Sequence, residues 1–405
     1  MSAGAATEVD RSLVDSSLVD RVRATLVAEG SDPTPARVAA ALRGEQRVLG
    51  QAEVLAVVTV LRSELAGTGV LEPLLRLPGV TDVLVNGASQ VWVDTGAGLT
   101  RTRVRFAGEA EVRRLAVRLA TTAGRRLDDA NPYVDVRLRD GTRLHAVLPP
   151  VSPGGTCLSL RIPSRRDFSL EDLVEAGSVS ERGALWLQAI VEARLAFVVS
   201  GGTGSGKTTL LSCLLSLASP DERLLLVEDS GELRPDHRHV VRLEARPPNV
   251  EGVGEITLRD LVRQALRMRP DRLVVGEVRG AEVADLLAAL NTGHEGGCGT
   301  VHANSAADVP ARLEALGLAA GLRRDALHSQ LAAGLDAVIH LERDLTGRRT
   351  VREVCVLVRG GNGLVVAEPA LVLEGDRVAL GAGEPLLRAR LASGHRRTDD
   401  TVGPR

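Results

Sequence analysis

The spacing of hydrophobic and polar positions changes twice along the chain. Residues 13–67 carry apolar side chains at helical intervals, which predicts two or three helices. Residues 68–165 show short alternating runs and one helical segment, and this pattern predicts a small α+β domain. From residue 196 onward, apolar runs of strand length alternate with helical segments. That alternation predicts a mostly parallel sheet covered by helices, the architecture of an α/β fold.

These changes predict five parts of the chain. They are an N-terminal tail with a helical segment (1–66), an α+β domain (67–165), a linker (166–180), an α/β domain (181–345) and a C-terminal extension with short strands and a disordered tail (346–405). No apolar stretch is long enough to cross a bilayer, and the N-terminus lacks the basic and apolar regions of a signal peptide. We therefore expect a cytoplasmic protein that reaches a membrane only through a partner.

Composition narrows the possible ligands. The formal net charge is −2 and aromatic residues make up 1% of the chain, so neither a basic field nor stacking platforms favour nucleic acid as a partner. The sequence contains one lysine, Lys207, and every other Lys/Arg position is arginine. Arginine does not replace lysine where a compact ammonium must contact phosphate oxygens. This singles out Lys207 as a candidate phosphate ligand.

A glycine-rich segment follows the first strand of the predicted α/β domain and opens a helix. It fits the pattern G-x-x-x-x-G-K-[ST] and continues by one residue: Gly201, Gly202, Thr203, Gly204, Ser205, Gly206, Lys207, Thr208 and Thr209. The glycines let backbone N–H groups surround an anion, and the helix N-terminus adds partial positive charge. The segment predicts an ATP site in which Lys207 contacts the β- and γ-phosphates and Thr208 binds Mg²⁺. The alternative is a glycine-rich turn without a ligand.

Acidic residues stand at the C-terminal ends of two predicted strands. Glu277 follows the strand 272–276, and Glu228 follows the strand 224–227. Open α/β sheets bind ligands at this edge, so we expect Glu277 to polarise the attacking water and Glu228 to assist it. Both are candidate Mg²⁺ ligands, together with Thr208. Gly276 occupies the position where many P-loop proteins carry an Asp for Mg²⁺. For each acid, a solvated loop carboxylate is the alternative.

Two histidines and several arginines are further candidates. His294 ends a predicted helix and His302 ends the next strand, so both can reach the same sheet edge and contact the γ-phosphate or a carboxylate. A purely structural role is the alternative for each histidine. Three arginines of the α+β domain are candidates for a finger supplied across a domain or subunit boundary: Arg137, Arg143 and Arg161.

Arginines also recur on one predicted helix of the α/β domain. Arg259, Arg263 and Arg267 are spaced by four residues and share one face. Some of them can be aimed at phosphate, and a solvated face is the alternative.

Several of these motifs resemble the type II and type IV secretion ATPase superfamily. The matching segments are 228–233, 246–249, 265–271, 275–279, 292–294 and 300–304. Upstream, the segments 81–87 and 133–143 look like the N-terminal domain of the tight-adherence pilus ATPase branch (the CpaF/TadA type). The resemblance covers about residues 65–340.

The resemblance implies a RecA-like P-loop NTPase motor domain, an N-terminal domain that closes over ATP, and a homo-hexameric ring. It places the family's Asp box at 228–232, its Walker B segment at 273–277 and its His box at 294–302. A glycine before the catalytic glutamate is normal in this family, which accounts for Gly276. The implied partner is an integral membrane platform protein of a pilus or secretion system, which would hold the ATPase at the inner face of the plasma membrane.

The predicted function is therefore ATP hydrolysis that powers pilus assembly, protein secretion or conjugation-type transport. Two other classes stay open. A non-hydrolysing scaffold gated by nucleotide shares the phosphate loop, and the intact Glu277 argues against it. A DNA translocase shares the RecA-like fold, and the near-neutral charge and scarcity of aromatic residues argue against that class.

Overall fold

The computed structural model describes residues 67–400 except 97, 164–167, 250–251, 294 and 345, together with positions 21, 22, 25, 37 and 40–42. It divides into two compact units, Met1–Ser164 and Arg165–Arg405. Most of the predicted tail and helical segment 1–66 lies outside the described residues. None of the helices in the described part is both long and apolar enough to cross a membrane.

The described part of the first unit, residues 67–163, contains an antiparallel sheet covered by one long helix. After a 3₁₀ turn (Gly69–Leu71) come α1 (Glu72–Leu75), β1 (Asp82–Asn86), β2 (Val91–Asp94), β3 (Leu99–Arg101), α2 (Glu109–Thr122), β4 (Tyr133–Arg137), β5 (Arg143–Val147) and β6 (Cys157–Arg161). The strand order is β3-β2-β1-β6-β5-β4. Alternate strand residues, such as Val134 and Val136, are buried together with Val112, Leu115 and Leu119 of α2. The period of two in β4 and of about 3.6 in α2 therefore produces one shared core.

The second unit alternates strands and helices. It contains α3 (Leu170–Glu175), α4 (Glu181–Glu192), β7 (Phe197–Gly201), α5 (Lys207–Ser216), β8 (Leu224–Glu228), β9 (Val240–Glu244), α6 (Leu258–Ala265), β10 (Arg272–Val275), α7 (Glu282–Leu290), β11 (Cys298–His302), α8 (Val309–Ala319), α9 (Arg324–Gly334), β12 (Ala337–Arg343), β13 (Arg349–Arg359), β14 (Val365–Glu374), β15 (Arg377–Leu380) and α10 (Glu384–Asp400).

These strands form one nine-stranded sheet of order β15-β14-β13-β12-β7-β11-β10-β8-β9. Neighbouring strands in the run β12-β7-β11-β10-β8-β9 pair in parallel. The strands β12, β13, β14 and β15 pair with one another in that order as antiparallel hairpins. Phe197 and Val199 of β7 belong to one core, and Val198 belongs to the core on the opposite face. Helices cover both faces, because α3, α4, α5 and α10 contribute to the first core and α6 to α9 to the second. The predicted α/β class with a mostly parallel sheet is confirmed.

The structure differs from the predicted parts at three places. Strands β12 and β13 pair across position 345, so the boundary predicted there falls within a hairpin, and residues 346–380 extend the same sheet. The described part of the predicted tail, up to residue 400, is helical and belongs to α10, whose Leu387 is fully buried in the core shared with α5. Residues 401–405 lie outside the described part of the chain. The predicted linker 166–180 contains α3, which begins with a capping box formed by Ser169 and Asp172 and belongs to the second unit.

Candidate functional site

The phosphate loop connects the buried strand β7 to helix α5. Gly204 has φ +71° and Gly206 has φ +96°, a region that residues with a Cβ rarely adopt. A Cβ at Gly201 would lie 2.5 Å from the carbonyl oxygen of Leu341 on β12. Glycine is therefore required at Gly201 for close packing and at Gly204 and Gly206 for backbone conformation. The turn leaves the N-terminus of α5 open, with Thr208 and Thr209 half-buried in its first turn.

Lys207 is held against this loop. Its side chain is 7% exposed, and its Nζ donates to the carbonyl oxygens of Gly201 (3.0 Å) and Gly202 (2.8 Å). Burial lowers the pKa of Lys207, and the negative charges of Glu277 and Glu232 oppose that effect. The ammonium group thus lies against the carbonyl groups of the loop, and nearby carboxylates favour its charged form.

His302 links Lys207 to Glu277. The Nδ1 of His302 lies 3.3 Å from the Nζ of Lys207, and its Nε2 lies 2.9 Å from Oε1 of Glu277. Because the ammonium can only donate, Nδ1 accepts, and the ring proton is on Nε2, which donates to the carboxylate. Burial and the charge of Lys207 lower the pKa of His302, while Glu277 acts in the opposite direction. A neutral imidazole therefore connects the candidate phosphate-binding lysine to the candidate catalytic carboxylate. His294 lies outside the described residues.

Glu228 is the buried acid of the site. Its side chain is 3% exposed, and its Oε1 accepts from the backbone N–H groups of Glu232 and Leu233, each at 2.9 Å. Its Oε2 is buried, and none of the residues that the structure describes forms a hydrogen bond with it. Burial raises the pKa of Glu228 to about 7, although the two backbone donors lower it. A Cβ at Gly276 would lie 2.7 Å from Cγ of Glu228, so the stem of Glu228 fills the space that an aspartate at position 276 would occupy.

Two further acids, Asp229 and Glu232, follow Glu228 closely in the sequence. Asp229 forms a salt bridge with Arg279, and burial raises the pKa of Asp229 more than that arginine lowers it. Glu232 is exposed. Asp229 is therefore occupied by a structural ion pair, whereas Glu228 retains an oxygen for another partner.

The residues suit a magnesium ion bound together with nucleotide. Thr208, Glu228 and Glu277 supply hard oxygen atoms, and the unpaired Oε2 of Glu228 is a buried acceptor that a cation would satisfy. In the part of the chain that the structure describes, no group of three or more His, Cys, Asp or Glu side chains forms a metal site by itself. Magnesium sites of this kind use few protein ligands and complete their shell with phosphate oxygens and water.

The three candidate finger arginines form a row across the first unit. In the antiparallel register, Arg137 is opposite Arg143, and Arg143 is opposite Arg161. Arg143 forms a two-point salt bridge with Asp135 through contacts of 2.6 and 3.0 Å, and Arg161 pairs with Asp82 at 3.1 Å. Like charges directly opposite each other destabilise a sheet. The two aspartates reduce this repulsion, so Arg143 and Arg161 are held in place by ion pairs within the unit.

The arginines of α6 have a different role from that of a phosphate ligand. Arg259 and Arg263 both donate to the carboxylate of Asp285 on α7, each at 2.7 Å. They connect two helices on the surface of the second unit. Arg267 is exposed in the turn that follows α6. The interpretation of this face as solvated and paired fits Arg259 and Arg263.

Replacing Arg263 by alanine is expected to leave the affinity for ADP within about twofold of the wild-type value, because an exposed ion pair contributes little. The side chain of Arg263 is 50% exposed. Titration with a fluorescent ADP analogue measures the affinity, and thermal unfolding shows whether the fold is retained. A folded variant with several-fold weaker binding would contradict this assignment.

Two parts of the site do not follow from the sequence motifs. One is the direct contact between Lys207 and His302, which lie 95 residues apart. The other is Arg349 of β13, whose Nε donates to the carbonyl oxygen of Gly204 at 2.9 Å. The glycine-containing turn between two apolar runs at 337–358 signals a hairpin, but it does not indicate that the hairpin lies against the phosphate loop.

Comparison with known proteins identifies the family. Residues 64–366 match the family of type II/IV secretion system proteins. A putative conjugal transfer protein of Mycobacterium tuberculosis is 60% identical over 316 residues, which cover 76% of this chain and 90% of that protein. The conjugal transfer protein TrbB of Rhizobium radiobacter is 31% identical over 280 residues, covering 68% of this chain and 83% of that protein.

A solved structure is also similar, that of the VirB11 ATPase from the Brucella suis type IV secretion system in complex with sulphate. It is 27% identical, covers 71% of this chain and 96% of that chain, and has a TM-score of 0.38. The family match spans more than half of this sequence and includes both the phosphate loop and the two acidic strand ends. This chain belongs to the type II/IV secretion system protein family.

Proposed function

We propose that this chain is an ATP-hydrolysing motor that powers transport through a membrane-bound secretion, conjugation or pilus machine. The observation that carries the proposal is the connected set Lys207, His302 and Glu277, in which the phosphate-binding lysine and a carboxylate at a strand end meet through one imidazole. A scaffold that only binds nucleotide has no need of a carboxylate placed beside the phosphate-binding lysine.

The residues divide the chemistry of hydrolysis between them. The backbone N–H groups of the loop and Lys207 bind the phosphates, and the lysine exchanges its two carbonyl contacts for phosphate oxygens. Glu277 orients the attacking water and takes its proton. Thr208, Glu228 and Glu277 would hold Mg²⁺, which neutralises charge on the phosphate oxygens when it is bound. His302 donates to Glu277 and fixes the direction of its carboxylate.

Assembly and partners form the finer part of the proposal. We propose a homo-hexamer in which the row formed by Arg137, Arg143 and Arg161 supplies positive charge to ATP across a domain or subunit boundary. The motor would act at the cytoplasmic face of the plasma membrane through an integral membrane platform protein. Two relatives are named as conjugal transfer proteins, which supports conjugation-type transport. The motifs at 81–87 and 133–143 support the tight-adherence pilus branch.

Turnover and mass measured on the same samples test the proposal. Purified wild-type chain is assayed for phosphate release from ATP over a range of protein concentrations, and its mass is determined in each sample. Turnover per chain is expected to rise as the hexamer forms, because a finger supplied in trans contributes about 10³ to 10⁵ in rate. A hexamer that binds ATP and releases no phosphate, even with its membrane partner, would favour the scaffold class instead.

A further inference from the structure

The hairpin formed by β12 and β13 (337–359) lies against the phosphate loop at three glycines. A Cβ at Gly201 would lie 2.5 Å from the carbonyl oxygen of Leu341. At Gly204 it would lie 3.4 Å from Nη1 of Arg343, and at Gly206 it would lie 3.4 Å from Cδ of Arg349. These three loop glycines therefore face the hairpin, whose second strand falls in the predicted C-terminal extension.

Arg349 makes the most specific of these contacts. Its stem packs on Gly206, and its Nε donates to the carbonyl oxygen of Gly204 at 2.9 Å. Gly204 has a left-handed backbone conformation. Residues with a Cβ rarely adopt it, so the orientation of its peptide plane differs from that in most turns. A hydrogen bond from a charged donor to this carbonyl fixes that orientation. Arg349 therefore restrains the segment whose N–H groups must face the phosphates.

The hairpin also places two exposed arginines, Arg343 and Arg349, beside the loop. Asp344 accepts from the backbone N–H groups of Thr346 (2.8 Å) and Arg348 (3.0 Å), so the turn itself uses its carboxylate. Within the described residues, the guanidinium groups of Arg343 and Arg349 form no salt bridge with a carboxylate. Both side chains are exposed. Two exposed guanidinium groups therefore lie at the rim of the phosphate loop next to Gly204.

We propose that Arg349 is a positioning residue of the nucleotide site, which holds the phosphate loop in its anion-binding conformation, and that Arg343 adds positive charge at the same rim. This inference rests on the proposed function, since it concerns the ATP site of that motor. It assigns the β12–β13 hairpin to the nucleotide site in addition to the central sheet. The ligand class is a nucleoside di- or triphosphate.

Substitution of Arg349 by methionine tests the contact, because methionine keeps an apolar stem on Gly206 and removes the donor. Affinities for fluorescent ADP and ATP analogues are measured at fixed ionic strength on the full chain. We expect both dissociation constants to rise about tenfold, the effect of losing one hydrogen bond from a charged donor. Arg349→Lys, which keeps a donor and the charge, is expected to stay within about threefold of wild type.

A matched control comes from the same strand. Arg352 pairs with Glu374 at 3.2 Å, and Arg352→Met removes the same charge away from the loop. This control is expected to bind both nucleotides as the wild type does. Hydrogen exchange of the loop amides gives a second readout, because exchange at 202–207 should become faster in Arg349→Met and stay unchanged in Arg352→Met.

The possible outcomes distinguish a failure of the proposed function from a failure of the inference about Arg349. If the wild-type chain binds neither ADP nor ATP, the proposed function fails and the inference about Arg349 fails with it. If the wild type binds both and Arg349→Met binds equally well, only the inference about the hairpin is overturned. Equal weakening in Arg349→Met and Arg352→Met also overturns it, because that result would reflect a general loss of charge. Weakening confined to Arg349→Met, with faster exchange in the loop, supports it.

Discussion

Replacing Glu277 by glutamine is expected to lower ATP turnover by a factor on the order of 10² to 10⁴ while ATP still binds. Glutamine keeps the oxygen that accepts from Nε2 of His302, at the position where the carboxylate oxygen lies 2.9 Å away. It cannot take a proton from water, so the substitution removes the base and leaves the geometry. Phosphate release measures turnover, and a fluorescent ATP analogue measures binding on the same preparation.

An exposed acid provides the control for this substitution. Glu255 is exposed on the loop that precedes α6, and Glu255→Gln removes the same charge from the second unit. Its turnover should match that of the wild type. Equal turnover in Glu277→Gln and wild type, with ATP bound in both, would show that Glu277 is not the base. A loss of both turnover and binding would point instead to a structural role through Lys207.

Local sequence signals are sufficient for the elements that frame the site. The buried run of β7, the glycines after it and the helix that begins at Lys207 are all contiguous, so propensity and motif predict them together. The acids at 228 and 277 follow apolar strands directly. Parallel strands end at a common edge of the sheet, and this rule alone predicts that both acids face the loop.

The local patterns in the sequence do not specify strand order or register. Gly201 at the end of β7 is paired with His302 on β11 and with Leu341 on β12, so residues about 100 and 140 positions away flank one glycine. Nothing in the spacing of these segments specifies which strands become neighbours. The contact of Lys207 with His302 and the support from Arg349 both depend on that order, which tertiary packing decides.

Gly276 shows how packing explains a residue that a motif leaves unexplained. The P-loop pattern predicts an aspartate there, and family resemblance alone accounts for glycine. The structure adds a physical cause, since Glu228 on the neighbouring strand occupies the space beside Gly276. Strands β10 and β8 pair with Val275 opposite Val227, so the two positions are adjacent. The buried glutamate on one strand therefore requires a residue without a side chain at the adjacent position of the next strand.

The same burial predicts a pH effect on stability. Glu228 has a pKa of about 7 in the folded chain against an ordinary value of 4.5. Because the folded-state pKa is the higher one, folding favours the protonated carboxyl. The contribution of Glu228 to the free energy of unfolding is fully present below pH 4.5 and is lost as the pH rises through 7. The shift corresponds to on the order of 3 kcal/mol at about 1.4 kcal/mol per unit of pKa.

Glu228→Gln mimics the protonated side chain and should remove most of this dependence. Urea unfolding is measured at pH 5 and pH 8, with EDTA and without nucleotide, in a Trp92→Phe background so that Trp186 reports on the second unit. At pH 8 the variant is expected to be more stable than its parent by on the order of 3 kcal/mol, and at pH 5 by less than about 1 kcal/mol. Glu342→Gln, at an exposed position of β12, controls for the loss of one negative charge. A parent and a Glu228→Gln variant with the same pH dependence would show that the carboxyl is not titrating in a buried, unpaired state, and the assignment of Glu228 as the buried acid of the site would then be wrong.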